Sequence, residues 1–179
     1  MRKYKVERLL KIRISKFCNH LKISNLWKGE KIEIIMYVNV NEYLYHMLKK
    51  ELLRKELLRE KDINELLDLR DEKKFDEKWM EVYSQIDYQK DKIKNKKLID
   101  DIRKEAFLKA YSLFESSDLA GYISDDFELI SKGLEIEYYD KWLNGLFSCY
   151  LSNVFPCGEI RMVEEDLTSQ IKRYYKNND

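Results

Sequence analysis

Apolar side chains recur at helical spacing through most of this chain, and polar capping residues fall in the gaps between the runs. Val6, Leu9, Leu10, Ile14, Phe17, Cys18 and Leu21 predict an amphipathic helix over 4–22, although the fragment LKIRIS also alternates as a strand would. Asn25 to Gly29 is a break with Trp27 as its core anchor. In KIEIIMYVNV the period changes to two, with Ile32, Ile34, Met36, Val38 and Val40 on one face. A single strand has nothing to pair with. Residues 31–39 are therefore open to three readings: a helix, an extended segment against the core, or half of an intermolecular pair.

From Asn41 onward the helical signal strengthens. Asn41 is positioned to cap NEYLYHMLKKELLRKELLRE, where Leu44, Leu48 and Leu52 form one apolar row and Leu53 and Leu57 the next. Asp62 and Glu65 have capping-box spacing ahead of Leu66, Leu67 and Leu69. Phe75, Trp79, Val82, Tyr83 and Ile86 continue the pattern, and YQKDKIKNKKL reads as a solvated connection. A long helix follows on Ile102, Ala106, Phe107, Ala110, Tyr111 and Phe114. Asp125 and Glu128 repeat the capping-box spacing and predict a helix start at DDFELISKGLEI, with Phe127, Ile130 and Leu134 inward. Asp140 caps a helix through Trp142, Leu146, Phe147 and Tyr150, which Asn153 to Gly158 ends, Pro156 enforcing the stop. Arg161 to Lys176 predicts a last helix on Val163, Leu167, Ile171 and Tyr174.

The expectation is an all-α bundle of about six to eight helices in a single domain, with residues 31–39 open between a helix and an isolated extended segment. Its parts are a basic amino-terminal helix (1–28), charged helices (41–112) and an acidic compact part (113–176). Composition supports this. Five glycines and one proline are too few for a sheet protein of 179 residues, and 44% hydrophobic content can fill a core despite 37% charge.

The net charge of +1 conceals opposed poles. Residues 1–28 hold nine Lys/Arg against one Glu, whereas residues 113–170 hold three basic and twelve acidic side chains. Two candidate surfaces result. The acidic one comprises Asp118, Asp125, Asp126, Glu128, Glu135, Glu137 and Asp140, with Tyr122, Tyr138 and Tyr139 as anchors for a protein partner. As a metal site it lacks histidine, EF-hand spacing and an ExxH pair, so no metal or cofactor is expected. The basic one comprises Arg2, Lys3, Lys5, Arg8, Lys11, Arg13 and Lys16, the footprint of a helix tracking nucleic-acid phosphates.

Catalytic chemistry finds no foothold. His20 and His46 lie in different predicted helices, without a nucleophile-plus-carboxylate pattern. Cys18, Cys149 and Cys157 have no metal spacing and no cationic neighbour to activate a thiol; Cys157, between Pro156 and Gly158, is the most accessible. Phosphate loop, nucleophile elbow and dinucleotide fingerprint are all missing. Charges thread the start MRKYKVERLLKIR, and no apolar run reaches membrane-span length, so a cytoplasmic, non-enzymatic protein with reduced thiols is expected.

SDLAGYISDDFELI, followed by YDKWLNGLFSCYLSNVFPCG, resembles a segment of small bacterial proteins without described enzymatic activity, some of them immunity partners of secreted toxins. The resemblance covers residues 105–158 and assigns a role to no residue. It implies a protein that binds and neutralises a toxin. A nuclease-type toxin, whose substrate channel is basic, would suit the acidic half. Nucleic-acid binding through the basic start is the alternative.

Overall fold

The computed structural model describes residues 39–178 of the chain. These form an all-α bundle of seven α-helices: α1 (Val40–Lys50), α2 (Ile63–Arg70), α3 (Lys73–Asp87), α4 (Lys96–Phe114), α5 (Ser117–Glu135), α6 (Lys141–Leu151) and α7 (Leu167–Asn178). Two 3₁₀ turns, Lys55–Leu58 and Lys90–Lys92, link them. The basic helix predicted for 4–22, and all but the last residue of the 31–39 segment, lie outside the described residues.

Helix α5 runs through the middle. Leu119, Ala120, Ile123, Phe127, Leu129, Ile130 and Leu134 are all buried, as are its polar Ser124, Asp126 and Ser131. A helix with buried residues on so many sides has neighbours around most of its circumference. Helix α4 lies along it as the other arm of a hairpin, with Ala106 and Ala110 fully buried; side chains this small let two helices approach closely. Helix α1 crosses both, inserting Leu44, Met47 and Leu48, while α6 and α7 close the remaining side with Leu143, Leu146, Phe147, Leu167 and Ile171.

Four sequence expectations need correction. No helix starts at Asp125. Ser116 is the cap, its hydroxyl accepting from the Leu119 amide, and α5 is already two turns old at Asp125. The apolar positions from Leu119 through Leu134 keep one phase, so packing continues the helix through the local capping signal. Asn41 is not the cap of α1 either. Asn39 accepts from the Asn41 amide, while the Asn41 side chain turns inward and donates to the Ser131 carbonyl at 3.0 Å. Helix α1 stops at Lys50 rather than running on to Glu60. Lys109 Nζ donates to the Leu48 carbonyl at 2.6 Å, and Leu53 takes φ 59°, a bend through which Leu52, Leu53 and Leu57 all stay buried. The last helix starts at Leu167, not Arg161, because the Val163 amide is committed to the Lys141 carbonyl at 2.9 Å.

One buried ion pair ties five elements together. Arg70, the last residue of α2, is 3% exposed and donates to both carboxylate oxygens of Asp126, which is fully buried on α5. Arg70 Nη1 also donates to the Pro156 carbonyl at 3.0 Å. Trp79 Nε1 on α3 reaches Asp126 at 2.9 Å, and the Tyr150 hydroxyl on α6 reaches it at 2.7 Å. The guanidinium carbon sits 4.3 Å from the Phe75 ring centre, 5.5 Å from that of Tyr122 and 5.7 Å from that of Phe155. Burial works against the Arg70 charge, but Asp126 outweighs it and the pKa is raised. The Tyr150 phenol is pushed well above its ordinary value by burial and by the adjacent carboxylate.

Four donors on one carboxylate are the condition under which a buried charge is tolerated. Replacing Asp126 by Ala strands the guanidinium, and Arg70→Ala strands the carboxylate. Each is expected to lower stability by about 3–5 kcal/mol in urea denaturation. The double variant should lose clearly less than the sum, since the second change removes the group stranded by the first.

Candidate partner-binding site

The ten residues of the predicted acidic face do not share one surface. Helix α5 is 19 residues long, about 28 Å. Asp118 in its first turn and Glu137 just past its last residue therefore stand at opposite ends, both exposed. Between them most carboxylates are occupied. Asp125 pairs with Arg103 at 2.8 Å, and Glu128 with Arg103 at 3.1 Å and Lys132 at 2.5 Å. Asp126 is withdrawn from any solvent-facing role because its carboxylate is the anion of the core network. The Tyr122 hydroxyl donates to Asp71, and that hydrogen bond, with burial added, pushes the phenol up to about 12.

Glu135 acts as a latch. One carboxylate oxygen accepts from the Lys94 amide, the Asn95 amide and Asn95 Nδ2 at 3.0–3.3 Å, and the other from Asn39 Nδ2 and Asn41 Nδ2 at 3.4 Å. It thereby joins the start of α1 and the start of α4, which has no side-chain cap of its own, to the end of α5. Its negative charge is favourable there because it faces the positive end of the α4 dipole.

The carboxy-terminal end of α5 is where sequence candidates come together. Asp140 caps α6, accepting from the Trp142 and Leu143 amides at 2.9 and 2.8 Å, and pairs with Lys78 at 3.7 Å. Tyr138 is half-buried, its phenol pushed up by burial and by Asp140. Tyr139 is 52% exposed, and its hydroxyl lies 3.1 Å from the Glu164 carbonyl and 3.0 Å from Glu164 Oε2. Lys141 Nζ meets the other Glu164 oxygen at 2.6 Å. Hydrogen bonds from Lys141 and Tyr139 hold the Glu164 carboxyl below its usual pKa.

These contacts place a non-helical segment, residues 159–166, against the start of α6. Asn144 Nδ2 donates to the Val163 carbonyl at 3.1 Å, and Gln170 Nε2 to the Asn144 and Glu165 carbonyls at 3.0 and 2.8 Å. Gly145 permits the approach: a Cβ there would lie 2.2 Å from the Arg161 carbonyl oxygen. The outcome is a mainly acidic ledge bearing Glu159, Glu164, Glu165 and Asp166 with one exposed cation, Arg161; the 56% exposed Met162 lies on it and Tyr139 is tied to it through Glu164. Glu165 is paired with Arg173 at 2.9 Å and Asp166 caps Ser169, whereas Glu137 and Glu159 have no ion-pair partner among the described residues. Sequence reading passed over this ledge by assigning 161–166 to a helix.

Other candidates are structural. His46 is exposed with Nδ1 3.1 Å from the Tyr175 hydroxyl, which also lies 3.1 Å from the Tyr43 carbonyl. Burial and Lys50 lower its pKa. Cys149 and Cys157 are half-buried free thiols, and burial pushes Cys149 up to about 11 and Cys157 upward as well. Among the described residues no three His, Cys, Asp or Glu side chains are grouped to hold a metal ion. No helix among them is long and apolar enough to cross a membrane. His20, Cys18 and the basic candidates Arg2 to Lys16 lie outside the described residues.

The family model described as Immunity protein PIM1 matches residues 43–157, a span from α1 to just beyond α6 that holds the whole Arg70–Asp126 network. No curated protein matches the chain.

Two outcomes check this geometry. Gly145→Ala forces α6 away from the ledge and is expected to cost about 1–3 kcal/mol in thermal or urea unfolding. Alkylation of the folded protein at pH 8 should run well below the free-cysteine rate at both thiols. It should accelerate as pH rises, with Cys157 modified before Cys149 in peptide mass spectra.

Proposed function

The chain belongs to the Immunity protein PIM1 family, and from that membership we propose that it neutralises a bacterial toxin by binding it, without catalysis of its own. The family match is the observation that carries this reading. The partner is a toxin domain with a basic face, of the nuclease type. Two features support that choice. Residues 113–170 carry twelve acidic against three basic side chains. The carboxylates at either end of α5, Asp118 and Glu137, also remain exposed and outside the ion pairs that hold the bundle together.

Opposed charge raises the encounter rate and orients the approach, while the fully desolvated contacts set the lifetime of the complex. A nuclease active site must attract phosphates, so the cationic groups it presents are complementary to an acidic inhibitor. Blocking such a channel requires a stable surface and no chemistry. An immunity protein can therefore spend its carboxylates on caps and latches and still have enough left to steer.

The test is co-expression in a bacterial host with a panel of nuclease-type toxin domains, any toxin domain found encoded next to this chain's gene included. The wild-type chain should restore growth, and the purified pair should form a complex whose association rate falls steeply between 50 and 500 mM salt, as about one to three decades is typical of steered pairs. The charge reversals Asp118→Lys and Glu137→Lys together should slow association about tenfold while leaving the unfolding midpoint within about a degree. Failure of the wild-type chain both to protect and to bind would overturn the reading.

A further inference from the structure

We propose that Tyr139 and Met162 form the apolar anchor of the toxin-docking surface, seated in a socket on the toxin rimmed by lysine or arginine. The inference rests on the immunity reading and adds to it the place of contact and the kind of surface that fits. Large apolar side chains more than half exposed are few among the described residues: Tyr88, Leu108, Tyr139 and Met162. Only Tyr139 and Met162 share one structural seam. The Tyr139 hydroxyl is held by Glu164, two residues from Met162, and the Met162 backbone is pressed against Gly145 of α6.

The seam is rigid. Val163 is bound to Lys141 on one side and to Asn144 on the other, and Gln170 clamps Asn144 and Glu165. A pre-ordered anchor loses little conformational freedom on binding. Tyrosine and methionine are also among the residues enriched in interface centres. The rim specifies the partner. Glu137 and Glu159 are free of ion pairs among the described residues, and Glu164 is 76% exposed although it contacts Lys141. An apolar pair edged by carboxylates is matched by an apolar socket edged by cations; an acidic rim would be repelled and a neutral one would gain no steering. Tyr139 lies inside the family-matched span and Met162 outside it, so the anchor joins a residue of the matched core to one beyond it.

The experiment is calorimetric titration of the full chain and its variants with the nuclease-type toxin domain that the wild-type chain neutralises in the co-expression test. Met162→Ala and Tyr139→Ala should each weaken binding about tenfold or more. Leu108→Ala, an exposed position on α4, should stay within about twofold. Tyr139→Phe keeps the ring and should retain most of the affinity. If wild type binds and both Met162→Ala and Tyr139→Ala remain within twofold of it, the anchor is wrong and the immunity reading stands. If wild type does not bind, the immunity reading fails and the anchor with it. Met162→Ala decides the matter if Tyr139→Ala unfolds, since the Met162 side chain is mostly solvent-exposed.

Discussion

The Arg70–Asp126 pair is the constraint on which the rest of the bundle depends. A carboxylate at the centre of a helical core is costly unless its lone pairs are met, and here they are met from α2, α3 and α6 at once. Each donor fixes the register of its own helix against α5. Trp79 sits one turn on from Phe75 on the same face of α3, Phe75 stacks on the guanidinium, and the Tyr150 hydroxyl takes the carboxylate oxygen that Trp79 does not. The Arg70 bond to the Pro156 carbonyl extends the demand to the loop after α6. Apolar burial alone would favour many packings of these helices; a shared buried charge favours the one in which every donor arrives.

The remaining carboxylates divide by where they stand on their helices. Those before or at a first turn, Asp62, Asp140 and Asp166, cap amides and complement the helix dipole. Glu135, at the end of α5, gathers five donors from two other elements. Asp125 and Glu128, on the α4-facing side, are met by Arg103 and Lys132. An acidic sequence is therefore not an acidic surface. Within residues 113–170, subtracting the carboxylates with internal duties leaves Glu115, Asp118, Glu137 and Glu159 outside the ion pairs and caps, three of them near the ends of α5 and one on the ledge.

Much of the helical pattern was legible because it rests on periodicity, and periodicity is a property of local sequence. Phe75, Val82 and Ile86, Ile102, Ala106 and Ala110, and Leu143, Leu146 and Phe147 all bury the face that their spacing indicates. Caps were read well where the polar residue preceded a new apolar phase, as at Asp62 and Asp140. Asp125 was misread because its i,i+3 partner Glu128 satisfies the local rule, while the decisive fact, the unbroken phase from Leu119 to Leu134, lies on both sides of it. Arg70 and Asp126 carried no signal at all. An arginine in a charged helix and an aspartate in an acidic run look solvated until the fold brings them together over a sequence separation of 56 residues.

The ledge was illegible for a related reason. Val163, Leu167, Ile171 and Tyr174 keep helical spacing, and nothing local says that the first of them is bound to another helix's carbonyl. What decides it is Gly145, whose missing Cβ lets the Arg161 carbonyl approach α6 as a helical segment there would not. A glycine inside a helix costs about 1 kcal/mol relative to alanine, and the close backbone approach is what offsets that cost. The buried network and the ledge are thus separated in space. The ion-pair network lies in the core, and the ledge is held to α6 by the Val163 amide and the Asn144 and Gln170 side chains, with Glu164 and Met162 still largely exposed on it. Substitutions of the exposed ledge side chains can therefore be made without disturbing the core that supports them.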